Sequence, residues 1–386
     1  MRQVFTGARV FDGERLARRA VVVEGGQVAA LLAEGADAGA ARRIDLGGGT
    51  LAPGFVDLQV NGGGGVNFND APDAATLRRM AEAHQGLGAL SILPTLVTDT
   101  PDRTRAAVAA VEAALRDRTA GIVGLHLEGP HLSLARKGAH DPALIRPMTD
   151  ADLGFLCDAV RRVGRLMVTL APENATTAQI AALAAAGAVV SLGHTDAGFD
   201  ACTEAARAGA RQATHLFNAM GGLGNREPGL VGAVLDGGGL DCGLIADGIH
   251  VHPATIAAAM RAKRGPGQIY LVTDCMAPAG SDIAEFRLNG RRVLRRQGRL
   301  TLEDGTLAGA DLDMARALAV MTRQAGVALD QALAMATAIP ARVIGAPAGR
   351  LRPGAAADMV HLRDDLTVQA VWRAGQPCAL SPATRG

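Results

Sequence analysis

The chain lacks the features that mark membrane, secreted or nucleic-acid-binding proteins. Its longest apolar stretch, Ile180–Val190, is mostly alanine and falls well short of the roughly 18 residues that span a bilayer. Charge is balanced, with 39 basic against 38 acidic residues and a net charge of +1, so no nucleic-acid or membrane partner is expected. The opening residues MRQVFTGARVFDG hold no apolar signal core and no small-residue cleavage site, which makes a cytoplasmic location the expectation. Cys157, Cys202, Cys242, Cys275 and Cys378 are widely spaced with no C-x-x-C, against both a disulfide framework and a thiolate zinc site. Lysine is almost missing, with Lys137 and Lys263 the only two. Also absent are G-x-x-x-x-G-K-[ST], G-x-S-x-G, H-E-x-x-H and a strand-linked G-x-G-x-x-G, which removes P-loop, serine-hydrolase, zincin and dinucleotide-binding readings.

What is present is a chain of 386 residues, 48% hydrophobic and 20% charged, able to bury a large core. Its length suits an α/β barrel of about 250 residues with an accessory module. The first fifty residues read as short strands between glycine turns. From Gly54 apolar runs alternate with Ala-, Glu- and Arg-rich helical stretches, the pattern of βα units on a parallel sheet. The runs are Phe55–Val60, Leu90–Leu96, Ile122–Leu127, Leu166–Leu170, Ala188–Gly193, Gln212–Phe217, Cys242–Ala246 and Ile269–Thr273; their number is the one a closed barrel requires. Turn signals at Asn289-Gly290 and Asp304-Gly305 predict a β-hairpin insert near 284–307. Helical patterning returns at Asp313–Arg342, and short strands at the end. The expected fold is therefore α/β, a (β/α)8 TIM-like barrel over 53–345, with a small β-sandwich domain formed by both chain ends, 1–52 and 346–386.

Chemistry gathers at the ends of the runs. Glu128 closes the third (GLHLEGPH), His194 the fifth (VVSLGHTD) and Asp274 the eighth (LVTDCMAPAG), while His215 falls within the sixth (ATHLFNAM). In a barrel these positions share the mouth where barrel enzymes work. Two imidazoles and a carboxylate with one open position make a catalytic metal set, and Asp274 is left to handle protons. Any one such residue alone is more often structural, but buried charges must be paired or coordinated, which favours function for the set. His84 in a helix, His252 beside a turn and His361 in the terminal module read as structural. His126, two residues before Glu128 on the same strand face, reads as a supporting group, and His131 is undecided. The first run places Gln59 and Asn61 where many binuclear barrel hydrolases carry histidines. Amides bind zinc poorly, so these are at most positions of a secondary metal site. The fourth run ends TLAPE without a lysine to bridge two metals, and one ion is favoured. Gly62–Gly65 reads equally as an anion nest or a tight turn, and Arg226 equally as a phosphate contact or a surface charge.

These segments resemble the N-acetylglucosamine-6-phosphate deacetylases of the amidohydrolase superfamily nearly end to end. The resemblance rests on LAPGFVDLQVNGGGGVNFND, LPTLVTD, GLHLEGPHL with KGAH, VTLAPE, VSLGHTDA, ATHLFNAM with REPGLVGAVLD, IADGIHV, LVTDCMAPAG, PARVIG and GRLRPGAAADMV. It implies that Glu128, His194 and His215 bind one divalent metal, zinc first, with Fe2+ or another ion as alternatives. It further implies that Asp274 is the acid/base and that His250 contacts the acetamido carbonyl. Substrate contacts carried over are Ala139, His140, Asn218, Ala219, Arg226, Asp247, Gly248, Ile249 and His250, with the turn Leu307, Ala308, Gly309. A homodimer whose partner subunit supplies part of the phosphate site is implied as well, with an amino-sugar phosphate as the small-molecule substrate. Ala308 and Gly64 depart from the pattern, standing where relatives often have Ser and some have Cys. The rival expectations are the galactosamine epimer, another mononuclear amidohydrolase, and a catalytically silent scaffold.

Overall fold

The structure, a computed structural model, describes residues 2–382; Met1 and the last four residues of the 346–386 segment lie outside the described residues. Eight parallel strands follow one another in sequence and in space: β1 (Phe55–Val60), β2 (Ala89–Val97), β3 (Leu125–Glu128), β4 (Leu166–Leu170), β5 (Val189–Leu192), β6 (Gln212–Ala213), β7 (Asp241–Ile245) and β8 (Ile269–Val272). The ring closes where Val60 bridges Cys275 in parallel and where the Thr273 amide and hydroxyl donate to Asp57. Almost every residue of these strands is buried, as expected of strands covered on both faces. All eight expected runs are strands of this barrel. Two are shorter than expected: β3 begins at Leu125, Ile122 making only an isolated bridge to Ile92, and β6 has two residues. The reason for the short β6 is backbone, because His215, Phe217 and Ala219 adopt φ of +32°, +76° and +49°, which no strand tolerates.

The crossover helices are α1 (Ala74–Gly86), α2 (Pro101–Arg116), α3 (Asp150–Val163), α4 (Thr177–Ala185), α5 (Phe199–Ala208), α6 (Gly229–Leu235) and α7 (Pro253–Ala262). Their starts are set by capping side chains: Asp73 accepts from the Thr76 amide, and Thr149 with Asp152 and Thr176 with Gln179 form capping boxes. No helix among the described residues is long and apolar enough to cross a membrane.

The expected hairpin insert is larger than a hairpin. It is a four-stranded antiparallel meander, β9 (Glu285–Leu288), β10 (Arg291–Arg296), β11 (Arg299–Leu302) and β12 (Leu307–Ala310). The extra turn is at Gln297-Gly298, both with positive φ. The insert has its own apolar cluster, Leu288, Val293, Leu300, Leu302 and Ala308 against Val97 and Met276. It is fastened by a buried ion pair from Arg295 to Asp311 at 2.8 Å. Its last strand returns to the barrel, the Ala310 amide donating to the Asp274 carbonyl.

Both chain ends build one nine-stranded sheet, joined where Thr50–Pro53 pairs antiparallel with Met359–Leu362. The sheet curls on itself, so that Phe5 and Trp372, from strands far apart in its order, meet edge to face at 5.2 Å.

Candidate active site

A cavity of about 270 Å³ opens at the C-terminal ends of the barrel strands. Its floor holds Glu128, the last residue of β3, with His194, His215 and Asp274 just beyond β5, β6 and β8. His194, His215 and Asp274 sit at φ of +47°, +32° and +50°. Each such left-handed residue costs on the order of 1 kcal/mol. Three together on the groups that carry the chemistry mark a backbone shaped for the site and not for stability.

The Arg136 carbonyl, which can only accept, lies 2.8 Å from His194 Nδ1. That nitrogen therefore carries the ring hydrogen, and Nε2 presents a lone pair. It faces His215 Nε2 at 3.1 Å and Glu128 Oε1 at 3.3 Å, while His215 Nε2 lies 3.1 Å from the same oxygen. Lone pairs this close repel one another unless a positive charge sits among them. All their ligand atoms lie within 4.8 Å of one another, and the donor set is that of a divalent ion with an open position. The local field agrees. Burial alone would lower the pKa of His215, yet the Glu128 carboxylate outweighs it and the pKa is raised. Burial likewise pushes Glu128 up, but His194 and His215 hold it well below the usual range.

Asp274 lines the same cavity, its pKa pushed up to about 6, by burial first and by the Glu128 charge second. The Asn61 amide donates to its Oδ1 at 2.7 Å, and the Gln59 amide donates to Glu128 Oε1 at 3.0 Å. The two amides thus grip carboxylates as hydrogen-bond donors. His250 is held by Asp247, whose carboxylate lies 2.6 Å from Nδ1 and accepts from the Ile249 and His250 amides. With Nδ1–H committed to Asp247, His250 Nε2 donates a hydrogen bond into the cavity only as the imidazolium. His140 is the opposite case. Its Nδ1 accepts from the Thr98 amide at 3.3 Å, and burial lowers its pKa to about 3. It is a neutral ring whose Nε2–H is its donor.

Of the residues expected here, Ala139, His140, Asn218, Ala219, His250, Leu307 and Gly309 line the cavity, as does Asn61. Asp247, Gly248 and Ile249 form the turn that carries His250, and Ala308 is buried in the insert cluster. Arg226 is exposed and lines a separate cleft with Leu223, Glu227 and Arg261. The structure does not bring it to the cavity. Gln59 supports Glu128 from behind without lining it. His84 Nε2 donates to the Gly62 carbonyl, His361 Nε2 donates to the Gly48 carbonyl, and His252 caps α7, all three roles structural. His126 is a buried neutral ring, its pKa lowered to about 4 by burial, bonded to the Leu58 carbonyl and Thr169. His131 bonds the Arg146 carbonyl beside a different cavity. Sequence reasoning did not reach Arg136, which orients His194 through a backbone carbonyl that no residue type signals, or Thr98, whose amide and hydroxyl both lie against His140 Nδ1, at 3.3 and 2.7 Å.

The fold and this site define a barrel hydrolase of the kind that works with a bound divalent metal. The Amidohydrolase family model matches residues 50–378. An N-acetylgalactosamine-6-phosphate deacetylase of Shewanella sp. (strain ANA-3) is 45% identical over 332 residues, 86% of this chain and 84% of that protein. The crystal structure of the N-acetylglucosamine-6-phosphate deacetylase of Pasteurella multocida superposes with a TM-score of 0.93 at 34% identity, covering 98% of this chain and all of that one. The D-to-A mutant of the Mycobacterium smegmatis enzyme, solved in complex with N-acetyl-D-glucosamine-6-phosphate, gives 0.91 at 35% identity, covering 98% of this chain and 99% of that one. The chain belongs to the amidohydrolase family, an enzyme family that is metal-dependent, and its resemblance to N-acetylglucosamine-6-phosphate deacetylases holds along nearly its whole length.

Proposed function

We propose that the protein hydrolyses the acetamide of N-acetylglucosamine 6-phosphate, giving acetate and glucosamine 6-phosphate in cytoplasmic amino-sugar breakdown. The observation that carries this reading is the convergence of Glu128, His194 and His215 on one point, with Asp274 lining the same cavity. Glu128, His194 and His215 are assigned as holding one divalent metal, zinc first. Such an ion, when bound, supplies Lewis acidity that makes water a nucleophile near neutral pH. Asp274, oriented by Asn61, takes the proton from the attacking water and returns it to the departing amine. His250, as an imidazolium paired with Asp247, donates to the acetyl carbonyl oxygen as charge develops there. His140 and the turns around Asn218 and Gly309 hold the sugar.

None of the described residues lining the cavity is Arg or Lys, yet a phosphate dianion calls for charge-assisted donors. We assign that role to Arg226 from the partner subunit of a homodimer, since in its own chain it faces a separate cleft. A second substrate reading, the galactosamine epimer, is favoured by the 45% identical Shewanella relative.

The test is acetate release from both epimers, with and without phosphate, by chelated and then metal-restored enzyme. The proposal expects metal-restored turnover of the phosphorylated sugars and little of the plain ones. Activity unchanged by chelation, or equal turnover of N-acetylglucosamine, contradicts it.

A further inference from the structure

Beneath the ligand set lies a group of buried polar side chains that the reaction does not use. Thr214 Oγ1 is 2.6 Å from both Thr169 Oγ1 and Ser191 Oγ, Thr169 Oγ1 is 2.8 Å from His126 Nε2, and His126 Nδ1 donates to the Leu58 carbonyl at 3.2 Å. The chain of bonds thus runs between β5, β4, β3 and β1 and the end of β6. Its members sit next to the candidate ligands in sequence: Thr214 one residue before His215, His126 two before Glu128, Ser191 three before His194. Thr169 is the register partner of both Glu128 and Ser191. The layer is packed tight, since a Cβ at Gly193 would lie 2.9 Å from Thr169 Cγ2 and from Thr214 Cβ.

The two histidines are not held alike. His194 has its ring fixed by the Arg136 carbonyl, whereas His215 Nδ1 is buried with no hydrogen-bond partner among the described residues. A metal-binding histidine normally owes its orientation to a partner on the second nitrogen. His215 lacks one, so its direction depends on its backbone, which is held in the left-handed region directly after Thr214.

We infer that Thr214 is a positioning residue for the metal site: its hydroxyl, which links Ser191 of β5 to Thr169 of β4, sets the relative offset of the segments that carry Glu128, His194 and His215. The inference rests on the reading of those three as the metal ligands. It concerns affinity for the ion and says nothing of the substrate.

Zinc affinity, measured by competition with a chromophoric chelator on the stripped full-length protein, tests it. Thr214→Val keeps the shape and removes the hydroxyl; it is expected to weaken zinc binding by about tenfold or more. Thr214→Ser restores the hydroxyl and is expected to bind close to wild type. Thr337→Val, which deletes a buried hydroxyl bonded to the Leu333 carbonyl and not among the residues lining the cavity, controls for loss of stability and should leave zinc affinity unchanged. Wild-type affinity in Thr214→Val, or a Thr214→Ser protein no better than Thr214→Val, overturns the inference. Should Thr214→Val not fold, Ser191→Ala removes only the outer end of the layer; a measurable loss of zinc affinity supports the inference and wild-type affinity overturns it. A wild-type protein that takes up no zinc sinks the metal reading itself, and this inference with it.

Discussion

At the scale of single residues, the site is organised by which atom of each side chain is already spoken for. Asn61 occupies one oxygen of Asp274, Asp247 occupies one nitrogen of His250, and the Arg136 carbonyl occupies one nitrogen of His194. The free atom in each case is the one left for chemistry. Asp274→Asn should therefore keep its metal content while kcat falls about 10² to 10⁴-fold, the usual worth of a positioned acid/base; turnover near wild type would remove Asp274 from that role. Asp247→Asn should lower kcat on the order of 10²-fold with a smaller change in KM, because His250 loses the carboxylate that supports it as a cationic donor. Steady-state kinetics separates the two parameters. Asp57 sets a pH dependence of another kind. It is buried with no cationic partner among the described residues, and burial raises its pKa from 3.8 to about 7. The unfolded chain gives up this proton at lower pH than the folded one, so folding stability falls as pH rises from about 4 to 7, by as much as roughly 4 kcal/mol from this group. Asp57→Asn should be more stable than wild type at pH 8, with the gap closing at pH 5; a melting-temperature difference that ignores pH would contradict this. The residues that converge in the cavity, Glu128, His194, His215 and Asp274, were legible in the sequence because each stands in or beside an apolar run. Their holders were not, since an Asn61–Asp274 bond spans 213 positions and a backbone carbonyl has no letter.

At the scale of elements, the insert is part of the active site. Its strand β12 lies against the Asp274 segment so closely that a Cβ on Gly309 would come within 2.8 Å of the Asp274 carbonyl and 2.5 Å of Met276 Cγ, at a φ of +68°. Gly309→Ala should cost about 1–3 kcal/mol of stability and reduce turnover at least tenfold by pushing Asp274 out of line. Hydrogen exchange that quickens across 285–310 would accompany it; a variant with wild-type kinetics would show that the contact is slack. The eight barrel strands could be read from the sequence because buried parallel strands are continuous apolar runs. The end of β6 could not, because ATHLF is apolar enough to extend while its backbone turns left-handed at His215 and Phe217. The insert was underestimated for a related reason. Asn-Gly and Asp-Gly are strong turn signals, whereas Gln297-Gly298 is a weak one, and a four-stranded sheet was read as a hairpin.

At the scale of the whole molecule, a barrel supplies the cup, the chain ends supply a curled sheet beside it, and no Arg or Lys is among the described residues lining the cavity, Arg291 reaching only the Ala139 carbonyl of that lining. If Arg226 of a second copy completes the site, Arg226→Ala should raise KM for the phosphorylated sugar about tenfold or more with little change in kcat, and leave KM for an unphosphorylated substrate unmoved. Mixing Arg226→Ala with an Asp274→Asn protein should then return part of the affinity through hybrid dimers; no recovery would place the arginine in its own subunit. The resemblance implies a substrate contact at Arg226, which lines a separate cleft of its own chain, but not the subunit in which it would act. That information lies in an assembly and not in the order of residues.

The central claim is that one cation sits between Glu128, His194 and His215. Anomalous X-ray scattering from crystals of the zinc-loaded protein, recorded on both sides of the zinc absorption edge, tests it without recourse to activity. The account predicts one peak per chain within bonding distance of Glu128 Oε1, His194 Nε2 and His215 Nε2. A map with no peak there, or with the ion bound by other residues while these three keep only one another, would contradict it.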